Sequence, residues 1–155
     1  MLGVTGLGST VKDSIKRAYA ADPHFSGAGS VFTVHNMAYQ GNFPPAVLGE
    51  AGFGPADWTA GGLEYYGTAS YLTAGLTYAD RITTVSPTYA REIQESGDRG
   101  FGFEGLLRRR SAVLSGILNG LDTEVWDPAR DASLSRRFGP SDATEGKAAC
   151  KEALQ

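Results

Sequence analysis

The chain has 155 residues, 41% hydrophobic and 20% charged, with a formal net charge of -3, which fits one globular domain with a real core and disfavours a phosphate-backbone-binding surface. A single cysteine, Cys150, excludes an internal disulfide and a cysteine-built metal site, and it suits a reducing compartment, so cytoplasm is the expected location. No basic-then-apolar leader is evident and no run of about 18 apolar residues occurs, so a soluble protein is expected.

Residues 1–29 read as a divergent lead-in. Gly3, Gly6 and Gly8 have the spacing of a phosphate-binding loop, but Ser9 stands where a lysine would neutralise phosphate. The alternative is a flexible start capped by Ser9 or Thr10. Val11, Ile15, Ala18 and Tyr19 follow helical spacing and predict a short helix to about Ala21, stopped at Asp22-Pro23.

Residues 31–34, Val-Phe-Thr-Val, predict a strand that opens into His35-Asn36 and then Tyr39-Gln40-Gly41. The passage 40–62 is punctuated by prolines and glycines but carries Phe43, Phe53 and Trp58, which points to a packed, functional loop rather than a mere connection. From Leu63 the spacing of Ala69, Leu72, Leu76 and Ala79 predicts a helix. A second strand is expected over 82–85. Ser86-Pro87 then reads as cap and first turn of a helix through Tyr89, Ala90 and Ile93. A short helix over 104–109, a third strand over 113–118 and an exposed helix over 142–155 complete the pattern.

Strands alternating with helices predict an α/β fold with a parallel sheet. Each expected strand gives way to a polar residue: His35-Asn36, Ser86 and Asn119. In a parallel sheet those ends share one edge, where open α/β folds bind ligands, so one cleft lined by His35, Asn36, Ser86 and Asn119 is expected. Ser86 is better explained as a helix cap than as a nucleophile, since no Gly-x-Ser-x-Gly elbow surrounds it. His24 and His35 are the only histidines, which makes a metal site unexpected. Glu64, Asp80 and Asp122 lie near element ends without forming a carboxylate pair of the glycoside hydrolase kind. His35 has a structural alternative, an imidazole satisfied by backbone at a strand end. The density of Asn36, Tyr39 and Gln40 beside it favours a site for a hydroxyl-rich ligand.

The stretch Phe32-Thr33-Val34-His35-Asn36-Met37-Ala38-Tyr39-Gln40-Gly41 resembles a signature of the bacterial glycogen synthases and plant starch synthases. Gly62-Leu63-Glu64-Tyr65-Tyr66-Gly67, Leu72-Thr73-Ala74-Gly75-Leu76-Thr77-Tyr78-Ala79-Asp80, Thr84-Val85-Ser86-Pro87-Thr88-Tyr89-Ala90 and Gly116-Ile117-Leu118-Asn119-Gly120-Leu121-Asp122 resemble the same family in its order. The resemblance covers the chain from about Ser30 onward and implies a partial catalytic domain over 30–155. The implied fold is a Rossmann-like parallel sheet with flanking helices, part of the N-terminal half of a two-domain GT-B glycosyltransferase. The implied reaction transfers glucose from ADP-glucose to the non-reducing end of an α-1,4-glucan with retention, without cofactor or metal. By the same resemblance His35 and Asn119 are the catalytic residues, with Asn36, Tyr39, Gln40 and Gly41 binding substrate and Ser86 a structural cap near the site. The family's Lys-x-Gly-Gly loop and His-Asp-Trp segment are not found, nor is its second Rossmann-like domain. The chain is therefore expected to be a fragment, inactive alone. The alternative is a non-catalytic module that binds glucan or nucleotide.

Overall fold

In the computed structural model the described residues are 21–25, 27–50, 53–60, 62–95 and 97–155. The helix expected from Val11 and the glycine-rich start lie outside them. The chain divides into two compact units, one ending at Leu118 and the other Asn119–Gln155. In chain order the first contains β1 (Val31–Val34), β2 (Asn42–Phe43), α1 (Val47–Glu50), a 3-10 turn (Pro55–Asp57), β3 (Glu64–Tyr65), β4 (Thr68–Ser70) and α2 (Tyr71–Tyr78). It continues with β5 (Arg81–Thr84), α3 (Pro87–Glu95), α4 (Gly97–Gly100), α5 (Glu104–Arg109), a second 3-10 turn (Ser111–Val113) and β6 (Leu114–Gly116).

The expected parallel sheet is present, in the order β1-β5-β6, with Phe32 opposite Ile82 and Ile82 opposite Leu114. Phe32, Val34, Ile82 and Thr84 are buried, as alternation along a strand requires. Thr84 is tolerated there because its hydroxyl donates to the Val34 carbonyl at 2.7 Å, which removes the cost of an unpaired buried polar group. Thr33 and Thr83 pair hydroxyl to hydroxyl at 2.8 Å. Asp80 fastens the opposite end of the sheet: its carboxylate accepts from the Ser30 amide at 2.8 Å and hydroxyl at 3.2 Å, while its own amide donates to that hydroxyl at 3.0 Å. The starts of β1 and β5 are thus locked by an acid that sequence alone leaves on the surface.

Helices α2, α3 and α5 cover the sheet with Leu72, Leu76, Ile93 and Leu107, which join Phe32, Val34, Ile82 and Phe103 in one core cluster. The helix expected from Leu63 begins only at Tyr71. Before it, β3 and β4 form a hairpin through Tyr66-Gly67, with φ of 47° and 80°, a pair of values that no right-handed helix accommodates. Ser70 then caps α2 by accepting from the Thr73 amide at 3.2 Å. With β2 the hairpin makes an antiparallel sheet in the order β2-β4-β3. The described residues of the passage 40–62 pack as expected: Leu48 and Phe53 are buried with Leu63, Ala69 and Ala74, and the buried Asp57 carboxylate accepts from the Gly54 amide at 2.9 Å. The third strand is shorter than 113–118, although the Ile117 amide still donates to the Thr84 carbonyl at 2.7 Å.

In the second unit the tail forms α6 (Ala143–Leu154), close to the expected span. The Asp142 carboxylate accepts from the Gly139 amide at 2.8 Å, and a Cβ on Gly146 would lie 2.2 Å from the Cβ of Phe138. Upstream, Asp122 turns the chain by accepting from the amides of Glu124 at 3.0 Å and Val125 at 3.1 Å.

Helix α2 packs tightly on β1 at Gly75, where an added Cβ would stand 2.5 Å from the Phe32 ring. Gly75→Ala is expected to destabilise the chain by about 1–3 kcal/mol through overpacking, read as a lowered urea midpoint. An unchanged midpoint would mean that α2 is free to move off the sheet.

Candidate active site

At the end of β1 the backbone turns at once. Asn36 accepts the Ala38 amide on its side-chain oxygen at 2.9 Å and the Tyr39 amide on its carbonyl at 3.3 Å, the local bonding that asparagine supplies in turns. Met37, with 0% exposure, anchors the turn in the core, and its amide donates to the Tyr89 hydroxyl on α3 at 3.2 Å. Helix α3 is itself set by Ser86, whose hydroxyl accepts from the Tyr89 amide at 2.9 Å. Ser86 is therefore a cap, one step removed from the loop that Tyr89 braces.

Gln40 and Gly41 are fixed from another direction. The first turn of any helix has amides without intrahelical acceptors. In α2 the Tyr71 amide donates to the Gly41 carbonyl and the Leu72 amide to the Gln40 carbonyl, each at 3.1 Å. The Ser70 hydroxyl donates to that same Gln40 carbonyl at 2.9 Å. Gly41 has φ of 60°, and since an added Cβ would meet Tyr71 only at ordinary contact distance, 3.4 Å, it is the left-handed backbone that favours glycine here.

These constraints leave a cleft of about 300 Å³ lined by Phe32, Thr33, Val34, Tyr71 and Leu72 and by the polar loop residues His35, Asn36, Tyr39, Gln40 and Gly41. Five of the expected site residues are thus brought together. Asn119 opens the second unit. Tyr39 is 81% exposed. The His35 imidazole is exposed, and no hydrogen bond to it is seen among the described residues. The lining offers directional donors and acceptors beside aromatic rings and no carboxylate. No group of three or more His, Cys, Asp or Glu that could hold a metal occurs among the described residues.

Ser70, Tyr71 and Tyr65 are not marked by the sequence as supports of the site, and Tyr89 is marked only as a position of its helix. Ser70 had a signal, a cap three residues ahead of Thr73; the tyrosines were hidden among apolar positions. Tyr65 donates from its hydroxyl to the Phe101 carbonyl and stacks on Phe103 with centroids 4.4 Å apart. Burial raises its hydroxyl above the ordinary value of 10.0, Tyr66 adds to this, the Gln40 side-chain hydrogen bond opposes it, and Glu104 adds again.

A parallel α/β sheet with flanking helices and a cleft beyond one strand end is the architecture of a Rossmann-like domain. A sequence profile described as the starch synthase catalytic domain matches residues 10–109. A glycogen synthase of Elusimicrobium minutum is 48% identical over 141 residues, 91% of this chain and 29% of that protein. Glycogen synthase 2 of Bradyrhizobium diazoefficiens is 55% identical over 127 residues, 82% of this chain and 26% of the relative. The solved catalytic domain of starch synthase IV from Arabidopsis thaliana, bound to ADP and acarbose, is 31% identical with a TM-score of 0.69, covering 94% of this chain and 30% of that one. The chain belongs to the starch synthase catalytic domain family, a family of glycosyltransferases, and spans under a third of the length of these relatives.

Two outcomes follow from the tyrosines. Tyr89→Phe removes the acceptor of the Met37 amide and is expected to cost about 1–3 kcal/mol, with faster exchange at Met37 by hydrogen-exchange NMR; unchanged exchange there would deny the brace. The folded chain holds the Tyr65 proton more firmly than the unfolded chain does, so this contribution is complete below the unfolded value of 10.0 and is lost as pH rises through the higher folded value. In Tyr65→Phe that part of the alkaline loss is absent, which urea midpoints on either side of that pH measure.

Proposed function

We propose that the chain is the acceptor-and-donor-facing part of a first Rossmann-like domain, 30–155, in an enzyme that transfers glucose from ADP-glucose to the non-reducing end of an α-1,4-glucan with retained configuration. The observation that carries this reading is the cleft at the end of β1, whose wall His35 shares with Asn36, Tyr39, Gln40 and Gly41. The Arabidopsis relative was solved with ADP and acarbose bound, a nucleotide matching the donor's leaving group and an oligosaccharide matching the acceptor class.

In this reading His35 contacts the transferred glucose near its reacting carbon and Asn119 hydrogen-bonds the same sugar. Asn36, Tyr39, Gln40 and Gly41 orient it, with Tyr39 offering a ring face. The transition state develops positive charge on the sugar ring while the bond to the diphosphate breaks. Fixed neutral dipoles stabilise it without ionising, and they cost no reorganisation at the moment of reaction. The groups that hold the diphosphate come from a second Rossmann-like domain facing this cleft. Cytoplasm is the compartment that this substrate pair and the lone thiol suit. No described helix is long and apolar enough to cross a membrane.

The isolated chain is expected to elongate no glucan. In a complete enzyme carrying this segment, His35→Ala is expected to lower kcat by about a hundredfold or more, the cost of losing one preorganised stabilising group, measured as ADP released from ADP-glucose with a glucan acceptor. Full activity in that variant would remove His35 from the site. Saturable binding of maltooligosaccharide by the chain, with the second domain adding nothing, would favour a binding module instead.

A further inference from the structure

Asparagine occurs at Asn36, Asn42 and Asn119, and only Asn119 is followed by glycine. An asparagine side-chain carbonyl carbon and the backbone nitrogen of the next residue belong to one short stretch of chain, so they meet as electrophile and nucleophile at high effective concentration. Their reaction needs a backbone free to close a five-membered ring and a nitrogen not already engaged.

At the first two asparagines the fold withholds both conditions. The nitrogen after Asn36 is that of Met37, which is fully buried and donates to the Tyr89 hydroxyl at 3.2 Å, and the Asn36 side-chain oxygen accepts from the Ala38 amide at 2.9 Å. Asn42 and Phe43 form β2, paired with Ser70 and Ala69 of β4, and the Asn42 side-chain nitrogen donates to the Gln40 side-chain oxygen at 2.9 Å. Asn119 is the opposite case. Asn119 and Gly120 are exposed and lie in no helix or strand. No atom of the described residues stands within 4 Å of the place that a Cβ would take on Gly120, and glycine reaches backbone angles closed to other residues. The turn held by the Asp122 carboxylate, which accepts from the Glu124 and Val125 amides, starts beyond the reacting pair.

We infer that Asn119-Gly120 is a self-modification site, at which Asn119 is converted through a cyclic imide into an aspartyl or an isoaspartyl residue. The Gly120 nitrogen gives its proton to water or hydroxide and bonds to the side-chain carbonyl carbon of Asn119. The bond from that carbon to the amide nitrogen breaks, and the nitrogen leaves as ammonia. Water then opens the ring at one of its two carbonyls; opening at the backbone carbonyl leaves the main chain running through the side-chain carbon. Each product gains a carboxylate and loses the two N–H donors of the amide. The modification stands apart from the proposed function, but its consequence rests on that reading. With Asn119 hydrogen-bonding the transferred sugar, conversion removes a donor and opposes an anionic sugar nucleotide with a negative charge, so the site has a chemical lifetime.

The test keeps the folded chain at mildly alkaline pH and weighs its tryptic peptides over time. The peptide 111–130 is expected to gain one mass unit and to become a substrate for an isoaspartyl methyltransferase, while the peptide that holds Asn36 and Asn42 keeps its mass. Gly120→Ala is expected to slow the gain by about threefold or more, the scale of the backbone freedom that glycine adds. Because no local structure has to open first, urea is expected to change the rate by less than about threefold. No gain in 111–130, an equal rate in Gly120→Ala, or a rate raised about tenfold or more in urea overturns the inference, and the urea comparison decides it on the unmutated chain alone. In a complete enzyme carrying this segment, glucan elongation from ADP-glucose is expected to fall in proportion to the converted fraction, with the half-life lengthened in Gly120→Ala by the factor seen in the chain. Full activity in converted enzyme would overturn the lifetime and the role given to Asn119 in the proposed function, while the peptide masses still decide the modification.

Discussion

The structure depends most on the way the first turn of α2 is satisfied. Two amides of that turn and the capping hydroxyl find their acceptors on Gln40 and Gly41 rather than in water. A helix start needs such partners, and a loop bearing a long run of polar groups needs anchors if it is to hold one shape. Each requirement meets the other here. The same helix is pressed against β1 at Gly75 and Phe32, so the cap, the loop and the sheet keep a single spacing, and the cleft lies between them.

The polar loop is braced at its other end by a different device. Met37 is driven into the core by burial, and the Tyr89 hydroxyl takes up the amide that this leaves inside. Ser86 starts the helix that brings Tyr89 into place. A serine that resembles a site residue by position thus serves the site at one remove, and His35 and Asn36 reach the cleft on a backbone tied to two helices. Such double anchoring is how a short loop comes to present side chains with fixed orientation, which electrostatic preorganisation demands. It also accounts for the apolar floor: Phe32, Val34 and Leu72 belong to the core and to the cleft lining together.

The misread segment before α2 shows where sequence patterns lose their force. Leu63 and Ala69 are buried and lie near the helical spacing of Leu72 and Leu76, so periodicity extends the helix backwards. Strands of two and three residues are too short to display alternation of their own. The turn between them carries Tyr66 where asparagine or glycine would have announced a hairpin. Only Gly67 hinted at it, and a lone glycine is compatible with many structures. Tyr65 was obscured for the same reason: its partners, Phe101 and Phe103, are far from it in the chain.

What the sequence by itself determined was the set of parallel strands, the cap at Ser86, and the His35-to-Gly41 run that places the chain in its family. These are local: β-branched runs, capping residues and contiguous motifs carry their physics within a few positions. Tertiary structure alone decided that Asp80 would lock two strand starts, that the Ser70 hydroxyl would reach the Gln40 carbonyl, and that the Tyr65 hydroxyl would donate to the Phe101 carbonyl. Each of these is a hydrogen bond between residues some tens of positions apart, and its partner is chosen by how sheets and helices pack, which no local pattern records.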